Sequence, residues 1–127
     1  MEFGKHKKIF IIDDDPMLRE ALQDYLTRKI PHEVRLFNTG EESFEFMQEK
    51  PDVIILDYYL NTVSKEAADG MQILQQLKKY YPEVHVIMLS SQEHYGIAMQ
   101  TIQKGAEHYV VKDEHSFEKI ASIINEI

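Results

Sequence analysis

Carboxylates stand at two points where apolar stretches of the chain end. Asp13, Asp14 and Asp15 come directly after residues 9–12, and Asp57 comes directly after residues 54–56. If the two stretches are neighbouring parallel strands, these side chains meet at one edge of a sheet, where they repel one another and require a cation. Carboxylates without thiolate or imidazole partners suit a hard ion, and Mg2+ binds few protein oxygens because it keeps several waters. The pattern therefore predicts a Mg2+ site.

A hydroxyl and an ammonium group arrive at the ends of two later apolar stretches. Ser90 ends the stretch that begins at residue 84, and Lys112 ends the one that begins at residue 108. Phosphoryl transfer to a carboxylate needs a nucleophile, neutralisation of charge at the phosphoryl oxygens and a donor to one of them. Asp57, a divalent ion, Lys112 and Ser90 would supply these parts together.

The positions of the apolar stretches predict the elements that bring these residues together. Four nearly continuous stretches predict parallel strands buried on both faces, and a weaker, alternating stretch at 33–37 suggests an edge strand. The four buried strands are predicted at 8–12, 52–56, 84–89 and 108–111. Helical spacing between them gives a β-α order repeated five times. We expect an α/β fold, an open doubly wound sheet with helices on both faces and a ligand crevice at the carboxyl ends of the strands.

Local signals mark several helix ends. Asp15 before Pro16 and Thr39 before Gly40 are predicted to cap helix N-termini, and Gly105 to end a helix. Ser116 is predicted to cap a last helix that begins near Phe117.

Composition limits the classes of function. A chain of 127 residues with 43% hydrophobic content predicts a single domain over 1–127. The formal net charge of -8 would repel nucleic acid, so no nucleic-acid contact is expected. The absence of cysteine excludes disulfides and thiolate sites and is compatible with the cytoplasm. The basic N-terminus is followed by too short an apolar stretch for a signal peptide or a membrane span.

These motifs resemble, over essentially the whole chain, the receiver domain of two-component response regulators. Residues 11–16 look like the family's acidic pair, 54–57 like its phosphoacceptor strand, 87–90 like its Thr/Ser strand and 105–112 like its aromatic-to-lysine strand. The resemblance implies a flavodoxin-like, five-stranded parallel sheet with strand order 2-1-3-4-5. It also implies a sensor histidine kinase or a phosphotransfer protein as partner.

The resemblance assigns metal and acceptor roles to individual residues. It implies that Asp57 accepts the phosphoryl group and also ligates Mg2+. Asp14 would bind the metal directly, Asp13 directly or through water, and the backbone carbonyl of Tyr59 would be a further ligand.

The resemblance also implies a switch. Ser90 and Lys112 would contact the phosphoryl oxygens, and Ser90 with Tyr109 would form the switch pair that biases a surface of the fourth helix, fifth strand and fifth helix. The domain would then be no enzyme but a phospho-switch that assists its own phosphorylation and dephosphorylation. A phosphorylation-dependent dimer and a C-terminal output domain are compatible with this interpretation. Tyr59 and Gln92 would tune the lifetime of the phosphoryl group.

Two departures from the family pattern carry predictions. Asn61 replaces a proline and Asp69-Gly70 arrives late, so residues 61–69 are predicted to be mobile or irregular. Asp113 follows Lys112 where the family has a cis proline. The Lys112-Asp113 peptide is predicted to be trans, because a cis bond without proline costs ~2.5-4 kcal/mol.

Two other classes of function are alternatives to the phospho-switch. A receiver-like interaction module that acts without phosphorylation is favoured only by the longer loop after Asp57. A flavodoxin-like redox protein is disfavoured, because an FMN phosphate would meet the carboxylates of Asp13, Asp14 and Asp15 instead of a glycine-rich or hydroxyl-rich cradle.

Overall fold

Strands and helices alternate along the chain, as predicted. A computed structural model describes residues 6–60, 68–91 and 95–127. The strands are β1 (Lys8–Ile12), β2 (Glu33–Phe37), β3 (Val53–Asp57), β4 (His85–Ser90) and β5 (His108–Val111). The helices are α1 (Pro16–Thr27), α2 (Gly40–Phe44), α3 (Gly70–Tyr80), α4 (Tyr95–Gln103) and α5 (Ser116–Glu126), with a 3-10 turn at Met47–Glu49. Within these ranges no helix is long and apolar enough to cross a membrane.

The five strands form one parallel sheet in the order β2-β1-β3-β4-β5, which confirms the predicted topology. The strand order reverses between β1 and β3, so the crevice that binds ligands in doubly wound sheets lies where these two strands end. Asp57 is itself the last residue of β3 and pairs with Leu89, while Ser90 is the last residue of β4 and pairs with Val111. Asp57 therefore lies inside its strand and not directly after it, whereas Ser90 ends its strand as predicted.

Two apolar cores cover the two faces of the sheet. Successive residues of a strand point to opposite faces, so Ile54 packs in one core and Ile55 in the other. The first core includes Ile73 and other residues of α3, and the second includes Leu22 of α1 and Ile120 of α5. Helices thus lie on both faces, as predicted.

The two edge strands are β2 and β5. Residues of β2 alternate between exposed and partly buried, as an edge strand with one wet face should. The sequence grouped β5 with the buried strands, and this was wrong in part. His108 is exposed and Val110 is the one fully buried residue of β5, because this strand pairs only with β4.

Three of the predicted helix ends are confirmed. Asp15 Oδ1 accepts hydrogen bonds from the backbone N–H of Met17 at 3.0 Å and of Leu18 at 3.4 Å. Thr39 Oγ1 accepts one from the N–H of Glu42 at 3.2 Å. Gly105 follows α4 with a φ of +112°, a left-handed conformation that favours glycine.

The predicted start of the last helix was wrong by one residue. Ser116 is the first residue of α5, and His115 occupies the cap position without a side-chain hydrogen bond. Asp113 builds the turn instead, since its Oδ1 accepts the N–H of His115 at 2.8 Å and its carbonyl accepts the Ser116 hydroxyl at 3.0 Å. The Ser116 hydroxyl is engaged in this turn and does not cap the helix, which begins at Ser116 and not near Phe117.

Candidate functional site

Three carboxylates converge where β1 and β3 end. Asp13, Asp14 and Asp57 each offer an oxygen, and these atoms lie within 4.8 Å of one another. Asp13 is 1% exposed and Asp57 is 3% exposed. Two buried carboxylates this close are costly unless cations compensate them.

Hydrogen bonds hold Asp13 at its backbone N–H, its backbone carbonyl and one oxygen of its carboxylate. Its N–H donates to the carbonyl of Phe37 at 3.1 Å, and its own carbonyl accepts from Arg19 Nη1 at 2.6 Å. Oδ1 accepts the N–H of Asp15 at 2.9 Å. Oδ2 is buried, and among the described residues it has an ion pair but no hydrogen bond.

Lys112 is that ion-pair partner, and it bridges the two buried carboxylates. Its Nζ lies 3.1 Å from Asp13 Oδ2 and 3.3 Å from Asp57 Oδ1. Burial alone would lower the pKa of Lys112, but attraction to Asp57 and Asp13 outweighs it and raises the pKa. The backbone N–H of Lys112 donates to the carbonyl of Ser90 at 2.7 Å, which continues the β4–β5 ladder to the site.

Burial and a neighbouring carboxylate act together on Asp57. Burial, followed by repulsion from Asp13, raises its pKa from 3.8 to about 7, against the opposing attraction of Lys112 and a hydrogen bond from the Tyr59 N–H to Oδ1 at 3.3 Å. The adjacent peptide is fixed because the N–H of Tyr58 donates to the carbonyl of Leu89 at 2.9 Å. One lysine therefore does not fully neutralise the pair of carboxylates.

The donor set fits a hard divalent cation. Every oxygen of the cluster belongs to a carboxylate, and among the described residues the partner of the buried Asp13 Oδ2 is Lys112. Oxygen ligands alone suit Mg2+, Mn2+ or Ca2+ better than metals that prefer nitrogen or sulfur. Asp13, Asp14 and Asp57 could therefore hold such an ion.

A second pair of side chains lies beside this cluster. Ser90 is fully buried and Tyr109 is partly buried, and their hydroxyl groups form a hydrogen bond. Burial raises the pKa of Tyr109, the bond to Ser90 opposes this, and the proximity of Tyr59 adds to it. The pair predicted to act as a switch is therefore in direct contact.

The family profile named "Response regulator receiver domain" matches residues 9–125 of the chain. That match covers nearly all of the sequence and includes every residue of the site. The chain belongs to the response regulator receiver domain family.

Relatives of the receiver domain fall into longer and shorter proteins. The chain is 33% identical over 110 residues to the "Probable C4-dicarboxylate response regulator DctR" of Bacillus subtilis, and the match covers 85% of this chain and 46% of that protein. It is 24% identical over 107 residues to the "Chemotaxis protein CheY" of Thermotoga maritima, with 84% of this chain and 85% of that protein covered. Among solved structures, the "BeF3 Activated DrrB Receiver Domain" is similar with a TM-score of 0.80 and 25% identity, covering 96% of this chain and 97% of that one. The chain spans less than half of the length of DctR and of several other curated relatives that it matches.

Aromatic residues of the receiver domain surround the end of β3. The rings of Tyr58 and Tyr59 meet edge to face, with centroids 4.8 Å apart. Burial raises the pKa of Tyr58, and Asp69, Tyr59 and Tyr109 raise it further. Tyr58 and Tyr109 also pack against the same apolar core, so the residue after Asp57 and the Ser90–Tyr109 pair share one side of the sheet.

The outcomes of the remaining predictions differ. The Lys112-Asp113 peptide is trans, as predicted. The N–H of Tyr59 lies against Asp57, but the ligand role of its carbonyl stays a prediction. Gln92 and residues 61–67 of the predicted irregular loop lie outside the described residues.

Sequence reasoning missed two residues of the site, Arg19 and Gly70. Arg19 reaches back to the carbonyl of Asp13 and also donates to Asn38 Oδ1. No motif marks this contact, since a long basic side chain one turn into a helix is common. Gly70 stood out in the sequence only for its late position, although the peptide after Asp57 lies directly against it.

Proposed function

We propose that this receiver domain accepts a phosphoryl group on Asp57, with Mg2+ bound by Asp13, Asp14, Asp57 and the carbonyl of Tyr59. The donor is a sensor histidine kinase or a phosphotransfer protein. The observation that carries the proposal is the buried Asp57 carboxylate, which lies 3.3 Å from Lys112 and has an oxygen within 4.8 Å of oxygens of Asp13 and Asp14. A carboxylate so placed is a positioned nucleophile in a site where three carboxylates outweigh the positive charge of Lys112.

The proposed reaction moves one phosphoryl group between two nucleophiles. An oxygen of the Asp57 carboxylate forms the new O–P bond while the N–P bond of a phosphohistidine breaks, and its electron pair returns to the imidazole nitrogen. Asp57 must be ionised for this step, so its pKa of about 7 leaves it only partly competent without a cation. Mg2+, when bound, would supply the missing positive charge for the carboxylates and the phosphoryl oxygens.

Lys112 and Ser90 are proposed to recognise the transferred group. The Lys112 ammonium, which now bridges Asp13 and Asp57, lies close enough to Asp57 to pair with a phosphoryl oxygen on it. The Ser90 hydroxyl would exchange its bond with Tyr109 for one with another phosphoryl oxygen. That exchange releases Tyr109 and couples the chemistry to β5.

The output of the switch is proposed to be the α4-β5-α5 surface. Tyr109 lies in β5, and α4 and α5 both contact that strand. Helix α4 exposes three large apolar side chains, Tyr95, Met99 and Ile102. A change at Tyr109 would alter this surface by shifting the balance between two arrangements. A phosphorylation-dependent dimer or a C-terminal output domain, such as the longer relatives have room for, would use it.

The alternative is a receiver-like interaction module that acts without phosphorylation. Only the departures around Asn61 favour it. The complete set of Asp13, Asp14, Asp57, Ser90 and Lys112, with the Ser90–Tyr109 bond formed, favours the phosphate-dependent function.

Intact-mass spectrometry after incubation with acetyl phosphate tests this function. Wild type should gain the mass of one phosphoryl group in Mg2+ and none in EDTA, and Asp57→Asn should gain none. Asp24→Asn is a matched control, because Asp24 is an exposed carboxylate paired with Arg28. An adduct of undiminished yield on Asp57→Asn contradicts the assignment, and no adduct on wild type in Mg2+ favours the alternative.

A further inference from the structure

The first turn of α3 lies directly against the end of β3. Gly70, the first residue of α3, is buried, and its N–H donates to the carbonyl of Tyr58 at 2.9 Å. The first amides of a helix have no acceptor within the helix, so this one is available for a bond to another element. The bond ties α3 to the peptide that follows Asp57.

This contact leaves no room for a side chain at Gly70. An ideal Cβ there would lie 2.4 Å from the carbonyl oxygen of Asp57 and 2.6 Å from the Cα of Tyr58. Both atoms are backbone, so no side-chain rotation relieves the overlap. Positive φ occurs elsewhere in the described chain, at Lys50 and Gly105, so Gly70 serves to provide space and not a special backbone angle.

The start of α3 is held from its other side as well. The Asp69 carboxylate accepts the N–H of Gln72 at 2.9 Å, and the Gln72 side chain accepts the N–H of Asp69 at 3.0 Å. The N–H of Ala68 donates to Glu41 Oε2 at 2.9 Å. Because the helix start is fixed by these bonds, a Cβ at Gly70 would displace the peptide of Asp57 and Tyr58.

We infer that Gly70 is a positioning residue for the phosphoacceptor, an inference that rests on the proposed function of Asp57. The backbone of Asp57 sets where its carboxylate stands relative to Lys112 Nζ, 3.3 Å away, and relative to the Tyr59 N–H, also 3.3 Å away. Displacement of that backbone alters both contacts. The close approach of α3 therefore fixes the acceptor, although Asp69-Gly70 arrives late in the sequence.

Gly40 provides a matched control. A Cβ at Gly40 would lie 2.3 Å from Ile73 Cδ1, so Gly40→Ala also disturbs the packing of α3. Its overlap is with a side chain of the core and does not involve Asp57 or Tyr58. The two alanine variants therefore separate a general loss of packing from a displacement of the acceptor.

The experiment compares wild type, Gly70→Ala and Gly40→Ala as full chains. Gly70→Ala should phosphorylate from acetyl phosphate about 10- to 100-fold more slowly and bind Mg2+ more weakly, since small misplacements of reacting or supporting groups cost rates and affinities of this size. Gly40→Ala should lose stability and keep the wild-type rate and Mg2+ affinity. If Gly70→Ala keeps both as well, or if both variants lose rate in proportion to stability, the inference is wrong.

The backbone amide shift of Tyr59 gives a readout that does not depend on phosphorylation. This amide donates to Asp57 Oδ1, so its NMR shift should move in Gly70→Ala and stay in place in Gly40→Ala. If wild type takes up no phosphoryl group, the proposed function fails while this comparison still decides the role of Gly70. If Gly70→Ala does not fold, Asp69→Ala replaces it. Loss of that cap should move the Tyr59 amide while Gly40→Ala leaves it in place, and an unmoved amide in Asp69→Ala overturns the inference.

Discussion

The charge of Asp57 dominates the site at the scale of single residues. Its carboxylate is buried beside Asp13, and within the described part of the chain the two carboxylates share the ammonium of Lys112. A raised pKa of about 7 means that the fold favours the protonated acid. The metal-free protein therefore stores an electrostatic cost at the position where function needs an ionised nucleophile.

Asp57→Asn is expected to stabilise the metal-free protein by removing this cost. The folded-state pKa lies above the ordinary value of 3.8, so the penalty is fully present above pH 7 and disappears as the pH falls towards 4. The gain should be on the order of 1–3 kcal/mol at pH 8, allowing for the shared Lys112. Urea unfolding in EDTA at pH 8 and pH 5 measures it.

In Mg2+ the wild type should become more stable to urea than Asp57→Asn. The metal stabilises the wild type by binding to it, and its site in the variant is weaker. Asp24→Asn, which loses only an exposed ion pair, is the control and should change stability by less than about 0.5 kcal/mol. Equal stability of wild type and Asp57→Asn at pH 8 in EDTA would show that the buried charge is already compensated.

Tyr59 is expected to slow the hydrolysis of the phosphoryl group. Its ring packs edge to face on Tyr58, and its N–H donates to Asp57, so we expect the ring to restrict the approach of water to a phosphoryl group on Asp57. Tyr59→Ala should dephosphorylate several-fold faster, measured as the decay of the phosphorylated mass after removal of acetyl phosphate. Tyr80→Ala, at the far end of α3 and 64% exposed, should decay at the wild-type rate. An unchanged rate in Tyr59→Ala would end the shielding hypothesis.

The residues of the site differ in how far the sequence could predict them. Asp13, Asp57, Ser90 and Lys112 could be predicted because each stands at a strand end, and parallel strands bring such ends to one edge. The role of Gly70 could not be predicted, because it depends on how closely the backbone of α3 approaches the end of β3 in the folded protein.

At the scale of elements, β1 and β2 are joined at their beginning by a buried histidine. The backbone N–H of Lys7 donates to His32 Nδ1 at 2.9 Å, and His32 is 8% exposed. Burial, followed by repulsion from Lys7 and His6, lowers the pKa of His32. A proton on Nδ1 would remove the acceptor of this bond.

This junction should weaken in acid. Because the folded-state pKa is lowered below the ordinary 6.5, the stabilisation is fully present above pH 6.5 and is lost as the pH falls below it. His32→Asn keeps an acceptor near the same place but cannot titrate there. The stability difference between wild type and His32→Asn should therefore shift by about 1 kcal/mol in favour of the variant between pH 7.5 and pH 5.5.

Urea unfolding of both proteins at the two pH values measures this shift, and taking the difference cancels the titration of Asp57 and of the exposed histidines. A difference that stays constant with pH would exclude His32 as the titrating group. His85→Asn is a useful comparison, because His85 is partly exposed and paired with Glu107.

The sequence predicted those helix ends and strand patterns that depend on neighbouring residues alone. The cap at Asp15 follows from its own side chain and from Pro16, and the alternation of β2 follows from its place at an edge. The start of α5 was wrong because the turn at Asp113 recruits the Ser116 hydroxyl, a choice between two local hydrogen bonds that the sequence leaves open. The exposure of β5 depends on which strand pairs with it, and that is set by the whole sheet.

At the scale of the whole molecule, the sheet places the acceptor and the switch on neighbouring strands. Asp57 ends β3, Ser90 ends β4 and Tyr109 lies in β5, in the order in which the strands pair. A displacement of Ser90 towards Asp57 therefore acts directly on Tyr109, without an intermediate element. This short path is the physical basis of the proposed switch.

The most direct test of the phospho-switch is the amide NMR spectrum of the full chain with Mg2+, with and without beryllofluoride, which mimics a phosphoryl group on Asp57. Beryllofluoride should shift the amides around Asp57 and Lys112 and also those of Ser90, Tyr109 and α4, and Asp57→Asn should show none of these changes. Shifts that stop at the residues around Asp57, or an unchanged wild-type spectrum, would contradict the account.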